Sequence, residues 1–96
     1  MKSMQIDVPD DLNEYVPELR HLFQSMVYKL NNNRHKGFIR NIGVGDLFKG
    51  ITAERIELLN AIDDESLSNM LAESVDVANM AVLTGIKCLR ITKEEI

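Results

Sequence analysis

SLSNMLAESVDVANMAVLTGIKCL, residues 66–89, decides the fold. Read at 100° per residue, its apolar side chains run nearly all round the cylinder. Leu67, Met70, Leu71, Val75, Val77, Ala81, Val82, Ile86 and Leu89 leave little polar face. The pattern predicts a long helix that must be covered on several sides. Working outward, two shorter helices are predicted upstream, over 46–62 and 17–32. In the first of the chain, Leu19, Leu22, Phe23, Met26 and Leu30 recur at helical spacing, and Pro17 suits an opening turn. Asn31-Asn32-Asn33 would end it, because Asn prefers caps and turns. Asp46 is expected to cap the second helix, and Asp63 or Asp64 the third, with Glu65 in its first turn. Residues 1–15 read as a loose arm and 92–96 as a tail. No strand pattern appears, so the expected fold is all-α. It is a single domain of about three helices, and two short helices can hardly cover the third. A homo-oligomer that completes the bundle is therefore expected.

The 96 residues leave no room for a second core. A net charge of −4 disfavours a nucleic-acid binder, which needs a basic face against phosphates. The single cysteine, Cys88, can form no internal disulfide. It sits in an apolar stretch, which predicts buried packing and a reducing, cytoplasmic compartment. The start, Met1-Lys2-Ser3-Met4-Gln5-Ile6-Asp7, lacks the apolar core of a signal peptide. The most apolar run, 75–91, contains Asp76, Lys87 and Arg90 and makes a poor membrane span. Residues 33–46 read as a loop, with Gly37, Gly43 and Gly45 and the bases Arg34, His35, Lys36 and Arg40. Gly43-Val44-Gly45 is no dinucleotide fingerprint, since Phe48 holds the third glycine position and no strand precedes it.

The informative feature is where the acids fall. On the second helix Glu54 and Glu57 share a face with Leu47, Gly50, Ile51, Leu58 and Ala61. On the third, Glu73 and Asp76 are again three apart, flanked by Met70, Val77, Met80, Leu83 and Thr84. Other acid pairs at this spacing, Asp7/Asp10 and Asp11/Glu14, lack apolar flanks and read as surface. Burying clustered carboxylates costs desolvation and like-charge repulsion, so they must be protonated, paired with bases or bound to cations. The surrounding faces contain few bases, which makes a divalent metal held by Glu54, Glu57, Glu73 and Asp76 the economical reading. An exposed or salt-bridged acidic seam is the bland alternative. All-oxygen ligands favour Mg²⁺ or Mn²⁺ over Zn²⁺.

The run Glu54-Arg55-Ile56-Glu57-Leu58, a spacer, then Glu73-Ser74-Val75-Asp76-Val77-Ala78-Asn79 resembles the MazG-like all-α nucleoside triphosphate pyrophosphohydrolases. Their signature is Glu-x-x-Glu, a variable spacer and Glu-x-x-Asp, commonly followed by Val-Ala-Asn. Upstream, Lys29-Leu30 and Asn33-Arg34-His35-Lys36-Gly37-Phe38 resemble a segment of small members, several from phages. The likeness spans about residues 26–86. Two positions depart from it: Ala53 stands where many relatives carry a further Glu, and Ile39 where relatives often have an aromatic. The resemblance implies cleavage of a (d)NTP between the α and β phosphates, giving (d)NMP and pyrophosphate through a water activated by Mg²⁺. It also implies dimers or dimers of dimers.

Four further residues are candidates for substrate contact. Asn79 follows the motif as in relatives and could touch ligand or form a helix–helix contact. Lys87 lies on the Asp76 side but about 16 Å further along the axis. His35 and Lys36 sit in the loop, where ligand contacts concentrate. His21 is given no role, and the Met and Phe residues read as packing. A degenerate bundle module that dimerises or binds a protein without catalysis is the competing class. A di-iron bundle is disfavoured because such sites use Glu-x-x-His from two helices, whereas the partner of Glu73 here is Asp76.

Overall fold

The computed structural model describes residues 1–34 and 42–95. They form a 3-10 turn at Asp10–Tyr15 and three α-helices: α1, Val16–Asn32; α2, Val44–Asp63; and α3, Leu67–Glu95. No strand occurs among the described residues, and the all-α expectation holds. α3 is the spine. α2 folds back along it as a helical hairpin, and α1 packs on α3 without reaching α2. No described helix is long and apolar enough to cross a membrane.

The apolar face read on the second helix makes the core. Leu47 is 1% exposed, and Ala61 and Val75 are the other buried apolar residues. Gly50 leaves room for the Met80 methyl group against α2, because a Cβ there would overlap it. α1 buries no residue fully; its Leu19, Leu22, Met26 and Leu30 are half-buried.

The helix ends differ from the sequence reading for local reasons. Gly43, not Asp46, is the N-cap of α2, its carbonyl accepting from the Asp46 and Leu47 amides at 3.1 and 3.2 Å. Asp46 instead sits in the first turn, where its charge meets the positive end of the helix dipole. The α2–α3 connection is a Schellman motif: the Glu65 amide donates to the Ile62 carbonyl and the Ser66 amide to the Ala61 carbonyl, at 3.0 and 3.3 Å. Glu65 therefore takes a left-handed φ of 56°, a conformation glycine adopts more readily. Asp63 and Asp64 close α2 and do not cap α3. That role falls to Ser66, whose hydroxyl accepts from the Asn69 amide at 3.4 Å. At the far end α3 continues past Leu89 to Glu95, absorbing most of the expected tail. At the front, the Leu12 amide bonds the Pro9 carbonyl at 2.9 Å, so part of the arm is a defined turn.

The result is open. A radius of gyration of 15.2 Å exceeds the roughly 13 Å of a compact chain near this length. Cys88, expected to be buried, is exposed, because the second half of α3 extends beyond what α1 and α2 cover.

Candidate functional site

The hairpin brings three glutamates together. Glu54 and Glu57 occupy successive turns of α2, and Glu73 faces them from α3. A carboxylate oxygen from each lies within 4.8 Å of the others. Glu54 and Glu73 are half-buried, while Glu57 is exposed at the open side. Their placement follows from the same pattern that packs the helices. Leu47, Leu58 and Ala61 hold the apolar stripe against α3, and the glutamates interrupt it.

The electrostatics are strained in a specific way. Burial, then a proton shared with Glu57, then the charges of Glu57, Asp76 and Glu73 push the Glu54 carboxyl from 4.5 up to about 7. Burial also raises Glu73, followed by the charges of Asp76 and Glu57. One oxygen of Glu54 and one of Glu73, Oε2 in each, is buried with no hydrogen-bond partner. Such orphaned carboxylate oxygens carry the full desolvation penalty. Hard oxygen donors gathered this closely, with two of them unsatisfied, fit a small divalent cation.

Asp76 belongs to a different arrangement. Lys29 of α1 donates to Asp76 Oδ1 at 2.8 Å and to the Ala72 carbonyl at 2.9 Å. The two side chains are about a third exposed, 32% and 29%. The expected set of four acids is thus three glutamates in a group, with the aspartate beside them and tied to a lysine. Lys29 is the residue that sequence reasoning missed. Its signal was present: on the α1 wheel it lies at the edge of the stripe made by Leu22 and Met26.

Asn79 is 6% exposed and donates through Nδ2 to the Met26 carbonyl at 3.2 Å, so it is a contact between α3 and α1. Its Oδ1 is buried with no partner. Lys87 is half-buried further along α3 and is not part of the glutamate group. His35 and Lys36 lie outside the described residues. Two shallow cavities of about 390 and 150 Å³ lie along α1 and α3, lined by Pro17, Leu22 and Leu71 and by Phe23, Met26 and Ala78 respectively. Both are almost wholly apolar, and neither is lined by Glu54, Glu57 or Glu73.

No family model, curated protein or solved structure matches the chain.

Proposed function

We propose that the protein is a Mg²⁺-dependent nucleotide pyrophosphohydrolase that converts a (d)NTP to (d)NMP and pyrophosphate. One observation carries the reading: three glutamates face one another across α2 and α3 with two buried oxygens left unsatisfied. The MazG-like arrangement of Glu54, Glu57, Glu73 and Asp76 supplies the reaction type. Glu54, Glu57 and Glu73 would hold the cation, with Asp76 available as a fourth carboxylate if it parts from Lys29. Mn²⁺ would substitute for Mg²⁺. When bound, the metal would polarise the α-phosphate and lower the pKa of the attacking water.

The chain's own residues do the rest. One of the three glutamates would also take the proton of the attacking water. Glu57, at the exposed side, leaves the site open to a triphosphate and to water. Lys29 places a positive charge next to Asp76, and its side chain keeps enough exposure to meet a phosphate oxygen. No Ser or Cys stands beside a His in the sequence, so direct attack by water on phosphorus is the route, with no covalent phosphoryl stage. The substrate and further copies of the chain, as a dimer or dimer of dimers, are the partners this reading requires.

The second reading is a catalytically degenerate interaction module. The Lys29–Asp76 pair favours it, since it neutralises one of the four acids without a metal. A panel of nucleoside triphosphates with Mg²⁺ in ¹⁸O-labelled water separates the two. Labelled monophosphate with unlabelled pyrophosphate is expected. Label in pyrophosphate would place attack at the β-phosphorus, and release of single phosphates would mean a different phosphatase. No turnover of any triphosphate favours the module.

A further inference from the structure

Asp76 stands between two partners. On one side it accepts from Lys29 of α1, whose ammonium also donates to the Ala72 carbonyl. On the other it neighbours Glu73, three residues back on α3. After burial, the charge of Asp76 is the next largest cause that raises the Glu73 carboxyl. One aspartate therefore belongs both to the α1–α3 seam and to the edge of the glutamate group. The seam itself is loosely made. Among the described residues α1 meets only α3 and the 3-10 turn, and no residue of α1 is fully buried. Both shallow cavities lie along this seam, one lined by Leu22 and Leu71, the other by Met26 and Ala78. The Asn79 side chain crosses it with Oδ1 left buried and unpartnered.

Charge decides which partner the aspartate keeps. Lys29 offers one positive charge at a part-exposed position, where an ion pair holds weakly. A divalent cation on the glutamates offers two, and attraction at equal distance scales with charge. Recruiting Asp76 to the cation withdraws the acceptor of one of the two bonds that Lys29 makes. The half-buried apolar residues of α1 compensate little for that loss. α2 has no such dependence, because Leu47 and Ala61 hold it by burial.

We propose that Lys29 is an internal competitor for Asp76, so that seating of α1 on α3 and occupation of the glutamate group by a divalent cation oppose each other. The proposal rests on the cation reading of that group and adds its regulation. Linkage is reciprocal: whatever holds α1 down weakens cation binding, and the cation loosens α1 by the same factor. A lysine that only braced the fold would act in the opposite sense, because removing a brace loosens the ligands and weakens the site.

The test is calorimetric titration of Mn²⁺ into the full chain, with hydrogen exchange of its helices. Lys29→Met should bind Mn²⁺ about tenfold more tightly than the parent. A lysine acting only as a nearby charge would give that gain in any background, so Asp76→Asn is the control. In that background Lys29→Met should change the affinity by less than about twofold. In the unaltered chain, saturating Mn²⁺ should speed exchange of the α1 amides about tenfold and slow that of α2. This second readout needs no variant, so it decides the matter even if Lys29→Met folds poorly. A parent that binds Mn²⁺ while Lys29→Met binds it equally or more weakly would overturn the competition and leave the cation site standing. A gain that persists in full beside Asp76→Asn would do the same. So would α1 amides that stay protected at saturation, since Asp76 would then serve both partners through its two oxygens. A parent that takes up no Mn²⁺ overturns both the competition and the site.

Discussion

α2 and α1 both pack on α3, but by different physics. α2 is held by apolar burial around Leu47, Ala61 and Val75, close enough that Gly50 admits Met80 against the helix backbone. α1 buries nothing completely and is fastened by polar ties, Lys29 to Asp76 and Ala72, and Asn79 to the Met26 carbonyl. The hairpin with the tighter packing also carries the unsatisfied glutamates. The contrast teaches that the apolar seam supplies the rigidity against which close carboxylates can be held, while the polar seam neutralises the one acid left over.

The sharpest way to break that contrast is to remove apolar volume from each side. Leu47→Ala should lower stability by about 3 kcal/mol, as expected for a fully buried leucine. Leu22→Ala in half-buried α1 should lose only about 1 kcal/mol. Urea unfolding of both variants checks the ratio; equal losses would mean that α1 is as well packed as the hairpin.

Next in size is the pH response of the glutamate group. The Glu54 carboxyl lies near 7 in the folded chain and near 4.5 when unfolded, so the folded state holds the proton more tightly between those values. Its contribution is fully present below about 4.5 and is lost as pH rises through about 7. Without divalent metal, the protein should be about 1–2 kcal/mol more stable at pH 5 than at pH 8, allowing for solvent at the open side. Glu54→Gln should flatten this dependence. A parent whose denaturant midpoint stays level across that range contradicts the burial assigned to Glu54.

The polar seam is probed by Lys29→Met, which strands the part-buried Asp76 carboxylate. A loss of about 1–2 kcal/mol is expected, with Asp76→Asn restoring part of it in the double variant. Hydrogen exchange should speed up in α1 and stay slow in α2 and α3. Uniform acceleration would show that the pair supports the whole fold. The smallest effect belongs to the hairpin turn. Glu65→Gly relieves a left-handed glutamate and should stabilise by about 0.5–1 kcal/mol in the same unfolding assay.

The hairpin was far more legible in sequence than the α1 seam. Leu47, Glu54, Glu57, Leu58 and Ala61 share one helical face, and a wheel shows directly that acids interrupt an apolar stripe. Lys29 looks locally like any lysine at the edge of an amphipathic helix. Its partner Asp76 lies 47 positions away, and only the packing of α1 on α3 joins them. The helical faces that carry the acids therefore show no sign of this base, which arrives from a third helix. The caps failed for a related reason: an Asp before a helix reads as an N-cap, yet Asp64 sits where α2 ends and the Schellman turn passes the role to Ser66. The apolar neighbours of Cys88 predict burial, yet the thiol is exposed, because apolar neighbours on a helix show only that a face requires a cover.

The central claim is that Glu54, Glu57 and Glu73 form a divalent-cation site. Calorimetric titration of Mn²⁺ into the parent and into Glu57→Gln and Glu73→Gln tests it most directly, since the amides keep shape while removing ligand charge. The account predicts a saturable site in the parent and at least about tenfold weaker binding in each variant, a loss of about 1.4 kcal/mol or more. A parent that takes up no Mn²⁺, or variants that bind it as the parent does, would contradict it.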